Sequence, residues 1–232
     1  MLHFHDAVES TMELAHRLAA SGAPSGDAVV ARQQRAGRGQ QGRVWSAEPG
    51  GLWLSVIGHP DATQGLDPLS LRVGLAVAQT IEQEVSGVMG IRLKWPNDLM
   101  LNGRKLGGVL SEARWQGDRC LWVVTGVGIN LHNPIPSHLA EVAIALHEVT
   151  DAPMPEALAP ALAAAIAAAL RGGALTELEL AEWDLRDALR GRTLRTPVAG
   201  SAEGITPQGS LLVRTPTGGQ VTCALGVVAL TD

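Results

Sequence analysis

The chain has 232 residues, 46% of them hydrophobic and 18% charged, which suits one globular domain of ordinary size with a small appendage. A formal net charge of −5 excludes a broad basic surface for nucleic acid or membrane, so any site for a polyanion has to be local. Cys120 and Cys223 stand far apart and outside any metal spacing, which excludes a disulfide framework, and no apolar run reaches membrane-spanning length. With no basic and apolar leader at the start, the expectation is a cytoplasmic protein.

Leu2-His3-Phe4-His5 alternates and predicts a short strand. His3 and His5 would share a face, but no third ligand stands nearby, so the pair reads as an ordinary strand face. Ser10-Thr11-Met12-Glu13 has the form of a capping box, and Leu14 and Leu18 give the helix after it an apolar stripe. Ser10 and Thr11 would then sit at a helix N-terminus, where free N–H groups point outward.

Residues 26–33 predict a strand that delivers a run in which Gly37, Gly39 and Gly42 alternate with Arg38 and Arg43, ending at Trp45. Glycine lets backbone N–H groups crowd around an anion, and arginine adds a charged fork that matches carboxylate or phosphate oxygens. Taken alone, such a run reads equally well as a solvated basic turn. The three glycines also satisfy the dinucleotide fingerprint G-x-G-x-x-G, which requires a helix to open at once. Here Arg43-Val44-Trp45-Ser46 follows, then Pro49-Gly50-Gly51. A pyrophosphate would have no helix N-terminus to sit on, so the dinucleotide reading is rejected.

A second strand is predicted over 51–57, a helix over 69–85 and another strand over 91–95. Pro96-Asn97-Asp98 turns the chain, and Asn102-Gly103 makes a tight hairpin before the return strand from Lys105 to Ala113. A β-rich run from Cys120 ends in Gly126-Val127-Gly128-Ile129-Asn130. Helices are predicted over 137–147, 155–170 and 176–189. Gly191 marks a boundary, after which short strands with turn signals at Gly200, Gly209 and Gly218-Gly219 predict a small β-barrel over 193–232.

Lys94-Trp95-Pro96-Asn97-Asp98 and Arg104-Lys105-Leu106-Gly107-Gly108 form the other chemical cluster. The hairpin puts Asp98 and Lys105 on adjacent strands. Alone, that pair reads as a surface salt bridge of little energetic worth. In combination, the glycine-arginine loop, the 94–98 block, Arg104-Lys105-Leu106 with Gly108, and Gly126-x-Gly128-Ile129-Asn130 resemble biotin protein ligases, in the family's order and at about its spacings. Gln34 and Ser10-Thr11 match as well, so the resemblance covers nearly the whole chain.

The resemblance implies an α+β fold. A class II synthetase-like catalytic domain, a mixed sheet flanked by helices, would span 1–190, and an SH3-like β-barrel 191–232. It implies an ATP-dependent ligase that makes biotinyl-5′-AMP and passes biotin to a lysine of a biotin carboxyl carrier protein, such as an acetyl-CoA carboxylase subunit. Arg38, Lys105 and Asp98 are the expected catalytic residues, with Asp98 orienting or deprotonating the incoming lysine. The expected biotin contacts are Ser10, Thr11, Gln34, Arg38, Trp45, Lys105, Gly107 and Gly108. For ATP they are Gly37, Arg38, Gly39, Arg43, Trp45, Asn97, Lys105 and Asn130. Mg²⁺ would offset the triphosphate charge, and Glu112 is the one candidate ligand, though a plain strand carboxylate is the simpler reading.

Two positions depart from the family. Gln40 stands where a second loop arginine is common, and Met12 where many relatives have Asn, so retention of the adenylate and one polar contact to biotin are affected. The glycine-arginine loop is expected to be mobile without ligand. The Ser10-Thr11 block leaves no room before it for a DNA-binding domain, so the expectation is a ligase without repressor function or membrane contact. An exposed strand edge could support a homodimer, but no residue decides it. The rival of the same fold is a lipoate or octanoate ligase or transferase; Cys120, in an apolar strand, is poorly placed to be its nucleophile. The rival of another class is a nucleotide-binding module without activity.

Overall fold

The computed structural model describes residues 1–60 and 65–231; Asp232, the last residue of the predicted barrel segment, lies outside them. The alternating runs of the first 130 residues build one seven-stranded sheet. Its strands are β1 (Leu2–Val8), β2 (Ala28–Gln34), β3 (Leu52–Gly58), β4 (Arg92–Lys94), β5 (Asp98–Leu101), β6 (Arg104–Gln116) and β7 (Arg119–Ile129). The spatial order is β1-β2-β3-β7-β6-β5-β4. Only β1 and β2 run parallel, joined through helix α1 (Thr11–Ala20); the remaining pairs are antiparallel. The β5–β6 turn is the predicted Asn102-Gly103 pair, both with positive φ (50° and 77°), as a two-residue hairpin requires.

Strand alternation divides the side chains between two faces. Val30, Leu54, Val56, Val109 and Val127 point to one face and pack under α2 (Leu69–Glu84) and α3 (Pro155–Ala169) in the main core. Val29, Ile57 and Val124 point to the other, where Met12, Ala15 and Ala19 of α1 cover them. Arg72 of α2 is buried and fully used. It donates to Glu179 Oε1 at 2.8 Å and to the carbonyls of Arg171, Gly173 and Ala174 at 2.8–3.0 Å, tying α2 to α4 (Glu177–Arg186).

Beyond α4, strands β8 (Thr193–Thr196), β9 (Gly200–Ile205), β10 (Leu211–Arg214), β11 (Gln220–Cys223) and β12 (Ala229–Leu230) form an antiparallel sheet in the order β11-β10-β9-β8-β12. Among the described residues no ladder joins β11 to β12, so this expected barrel is an open five-stranded sheet by its pairing. Its side chains Leu194, Leu211 and Val213 belong to the same core as Leu93 and Trp95, and Trp95 Nε1 donates to Gly209 O at 2.9 Å.

Two local expectations are overturned. Ser10 precedes α1 as its cap residue but makes no side-chain cap bond. The Thr11 N–H goes instead to Gln34 Oε1 at 2.8 Å, and Glu13 pairs with Arg17, so no capping box forms. Residues 137–147 form only short 3₁₀ turns, Ser137–Leu139 and Leu146–Glu148. This stretch lies extended against Lys105, whose N–H donates to Val142 O at 2.8 Å and whose carbonyl accepts from Ile144 N at 3.0 Å. Those tertiary bonds take backbone groups that a helix would use internally.

Candidate active site

The sheet face that carries α1 also carries a cavity of about 410 Å³, within the size range of small-molecule sites. Its floor is bare backbone. Gly126 and Gly128 on β7 and Gly108 on β6 line it, and the glycines are needed for packing. A Cβ on Gly126 would lie 2.9 Å from the Met12 side chain, and one on Gly128 3.0 Å from the Trp45 indole.

At one end stands the start of α1. Thr11 Oγ1 donates to Gln34 Oε1 at 3.0 Å and lies 2.8 Å from Ser55 Oγ. The Ser10 hydroxyl is buried in the same wall with no partner among the described residues. A buried hydroxyl without a partner is costly, and a polar ligand group would relieve that cost.

In the middle, Lys105 and Asp98 meet as the hairpin predicts, with Nζ 2.5 Å from Oδ1. The Lys105 ammonium also lies 5.0 Å from the centroid of the Trp45 ring. Trp45 itself packs edge-on against Trp53, with centroids 6.3 Å apart, and its buried Nε1 has no partner among the described residues. Asn97 Nδ2 donates to Val109 O at 2.6 Å and pins the 96–98 turn to β6.

The glycine-arginine loop forms the outer wall through Arg38, Gly39, Gln40 and Arg43. No helix follows it; the loop itself contains a single 3₁₀ turn, Gln40–Gly42. Arg38 Nη2 donates to Glu112 Oε2 at 3.5 Å. Glu112 also faces His16 Nε2 at 3.1 Å, and this hydrogen bond, followed by the nearby Arg38 charge, outweighs burial and holds its carboxyl below the ordinary carboxylate range.

Of the residues expected at the site, Ser10, Thr11, Gln34, Arg38, Gly39, Arg43, Trp45, Asn97, Asp98, Lys105, Gly108 and Asn130 all line this one cavity. Gly37 and Gly107 do not. A Cβ on Gly37 would meet Trp45 O at 2.5 Å, and one on Gly107 would meet Gly128 O at 2.5 Å, so both are glycine for close backbone packing. Asn130 lines the cavity with its amide already engaged. It donates to Ile144 O at 3.2 Å and accepts from Asn133 Nδ2 at 3.1 Å.

Sequence reasoning missed Asn133 and the loop 226–228 of the second sheet, which line the cavity, and His16, which lies beyond the lining against Glu112. His16 follows Met12 by one helical turn, a spacing that places it on the same face. No local signal marks Asn133 or the distant loop.

For a metal, the described residues contain no group of three His, Cys, Asp or Glu side chains close enough to hold one. Asp98 is paired with Lys105, and Glu112 with His16 and Arg38. Glu112, the one candidate ligand for Mg²⁺, thus stands beside His16 and the Arg38 cation rather than within a group of carboxylates.

A mixed sheet, a bare glycine floor and cations converging from a loop and a hairpin fit a family that activates carboxylic acids. Residues 4–130 match the biotin/lipoate A/B protein ligase family, and the chain belongs to it. Among curated relatives, it is 41% identical over 152 residues to the bifunctional ligase/repressor BirA of Bacillus subtilis, covering 63% of this chain and 46% of that protein. It is 32% identical over 207 residues to the biotin–[acetyl-CoA-carboxylase] ligase of Paracoccus denitrificans, covering 83% and 86%. The matched region thus spans about half the length of the Bacillus BirA proteins and most of the Paracoccus one. Among solved structures, the biotin protein ligase of Aquifex aeolicus in complex with biotin and ATP superposes with a TM-score of 0.81 at 26% identity, covering 99% of this chain and 98% of that one. Among the described residues no helix is long and apolar enough to cross a membrane.

Proposed function

We propose that this chain is an ATP-dependent biotin–protein ligase. A biotin carboxylate oxygen attacks the α-phosphorus of ATP, and the P–O bond to pyrophosphate breaks. The amine of a lysine on a biotin carboxyl carrier protein then attacks the acyl carbon of biotinyl-5′-AMP. The C–O bond to AMP breaks and the amine loses its proton.

The observation that carries this reading is Lys105 and Arg38 lining one cavity whose far end holds the partnerless Ser10 hydroxyl. A carboxylate and a triphosphate repel each other, so the protein must set cations where both arrive. Ser10, Thr11 and Gln34 would take the ureido ring. The acyl chain would lie over the bare backbone of Gly108 and Gly126. Lys105 would move from Asp98 to the ligand oxygens, which frees the Asp98 carboxylate to receive the incoming ammonium. Arg43 and the Gly39 backbone would meet the phosphates. Mg²⁺ would arrive with the nucleotide, since Asp98 is paired with Lys105 and Glu112 with His16 and Arg38. Residues 1–190 would form the catalytic domain and 191–232 a second one.

A transferase with a cysteine nucleophile is disfavoured, because neither Cys120 nor Cys223 lines the cavity and burial pushes both thiols up. The test is ATP–pyrophosphate exchange with biotin, lipoate and octanoate in parallel, followed by transfer to a carrier domain. Exchange driven by biotin alone, then biotinylation of the carrier, is expected. Exchange with lipoate but not biotin would overturn the assignment.

A further inference from the structure

Outside the cavity, one chain of polar contacts ends on a cavity residue. It begins at Trp122 on β7, whose indole N–H donates to His16 Nδ1 at 3.0 Å. An indole nitrogen can only donate, so Nδ1 is the acceptor and the neutral ring carries its proton on Nε2. That proton is directed at Glu112 Oε2, 3.1 Å away. The same oxygen accepts from Arg38 Nη2.

The fold puts these groups together. Leu110 is opposite Gly126 and Glu112 opposite Val124 in the β6–β7 ladder, with Arg114 opposite Trp122. Opposed residues share a face and every second residue returns to it, so Glu112 and Trp122 continue the row of the cavity floor. On α1, His16 stands one turn beyond Met12, which lines the cavity. The relay therefore lies one rung beyond the residues that line the cavity.

We propose, building on the ligase reading above, that Trp122, His16 and Glu112 are positioning residues for Arg38. Trp122 fixes the tautomer, His16 fixes the carboxylate, and the carboxylate fixes one edge of the guanidinium. The remaining N–H groups of Arg38 are left for the anionic ligand. A loop arginine with 45% of its side chain exposed would otherwise spread over many rotamers, and fixing it beforehand lowers the entropy lost on binding.

The test is a double-mutant cycle read by ATP binding in a calorimeter, on Glu112→Gln, Arg38→Ala and the double variant, with melting curves as the folding control. Glu112→Gln is expected to weaken ATP binding by about fivefold, the upper range for a half-exposed charge pair. In the Arg38→Ala background the same change is expected to do almost nothing. Equal weakening in both backgrounds overturns the proposal, as a merely structural role would give that result. Tighter binding by Glu112→Gln also overturns it, since the carboxylate would then be restraining Arg38.

A second measurement needs no variant of the relay itself. The ¹⁵N spectrum of the His16 ring should show a bare Nδ1 and a protonated Nε2, and should shift on Arg38→Ala. A ring that Arg38→Ala leaves unmoved counts against the relay. Absence of pyrophosphate exchange by the unaltered chain would count against the ligase reading instead, and the spectrum would still decide the relay.

Discussion

The two walls of the cavity are built by opposite means. The floor belongs to β6 and β7, paired from Gly107 to Gln116, and Lys105 is held at both its backbone N–H and its carbonyl by residues 142–144. The outer wall, residues 37–45, is closed by few backbone bonds: Gly39 N to Arg43 O at 2.8 Å, Arg43 N to Gln40 O at 3.2 Å, and Trp45 N to Gly37 O at 2.9 Å. Gln41 there adopts a positive φ of 56°, a conformation a non-glycine residue holds at some cost. The contrast separates two tasks. A group that must meet a developing charge gains from a fixed position, whereas a wall that must admit and then retain a ligand gains from a low cost of opening.

Four substitutions probe that contrast, the first two on the fixed side. Lys105→Ala should lower the rate of biotin-dependent pyrophosphate exchange by about a hundred- to a thousandfold, as loss of one preorganised donor does. A loss below tenfold would move the burden to the loop arginines.

Arg72→Ala should cost about 3 kcal/mol in chemical denaturation, since it removes one partner of a buried ion pair and leaves the carbonyls of Arg171, Gly173 and Ala174 without their donor. Burial alone would raise the Glu179 carboxyl, but the Thr176 N–H and the Arg72 and Arg171 charges hold it below its ordinary value of 4.5. A lowered folded-state value contributes stability that is fully present above pH 4.5 and fades as pH falls below it. The gap between wild type and variant should therefore narrow in acid.

At the contact between floor and loop, Gly128→Val places carbon where Trp45 rests and should cost about 2 kcal/mol of packing at the loop's anchor. Limited proteolysis reads it directly. The wild-type loop should be cut more slowly with biotin plus ATP, and the variant should lose that protection. Equal cutting of the wild type with and without ligands would refute the mobile wall. The smallest effect is expected from Gln40→Arg, which restores a loop cation. It should lengthen the residence of labelled biotinyl-AMP by up to about fivefold, the limit for an exposed charge.

What the sequence made legible follows the same division. Asn102-Gly103 announced its hairpin because the turn needs positive φ at both residues, and with the hairpin came the Lys105–Asp98 pairing. The glycine-arginine run announced a cavity wall because its side chains carry the chemistry. Residues 137–147 misled because their apolar spacing suits a helix, while their backbone is drawn to Lys105 and Asn130, far off in sequence. Ser10 looked like a cap for a similar reason. Gln34, brought in by β2, took the N–H that the local motif would have satisfied. His16 stayed invisible because its meaning depends on Trp122 and Glu112, which only the sheet register brings to it.

The bond from Trp95 to the Gly209 carbonyl reaches further than its 2.9 Å. Trp95 directly precedes the turn that carries Asp98, and its indole joins the seven-stranded sheet to the five-stranded one. The small C-terminal sheet therefore acts as a buttress for the hairpin that carries Asp98 and Lys105, sharing one interior with it. The chain should melt in a single transition, and a cut at the glycine after α4 would loosen the acid–lysine pair from behind.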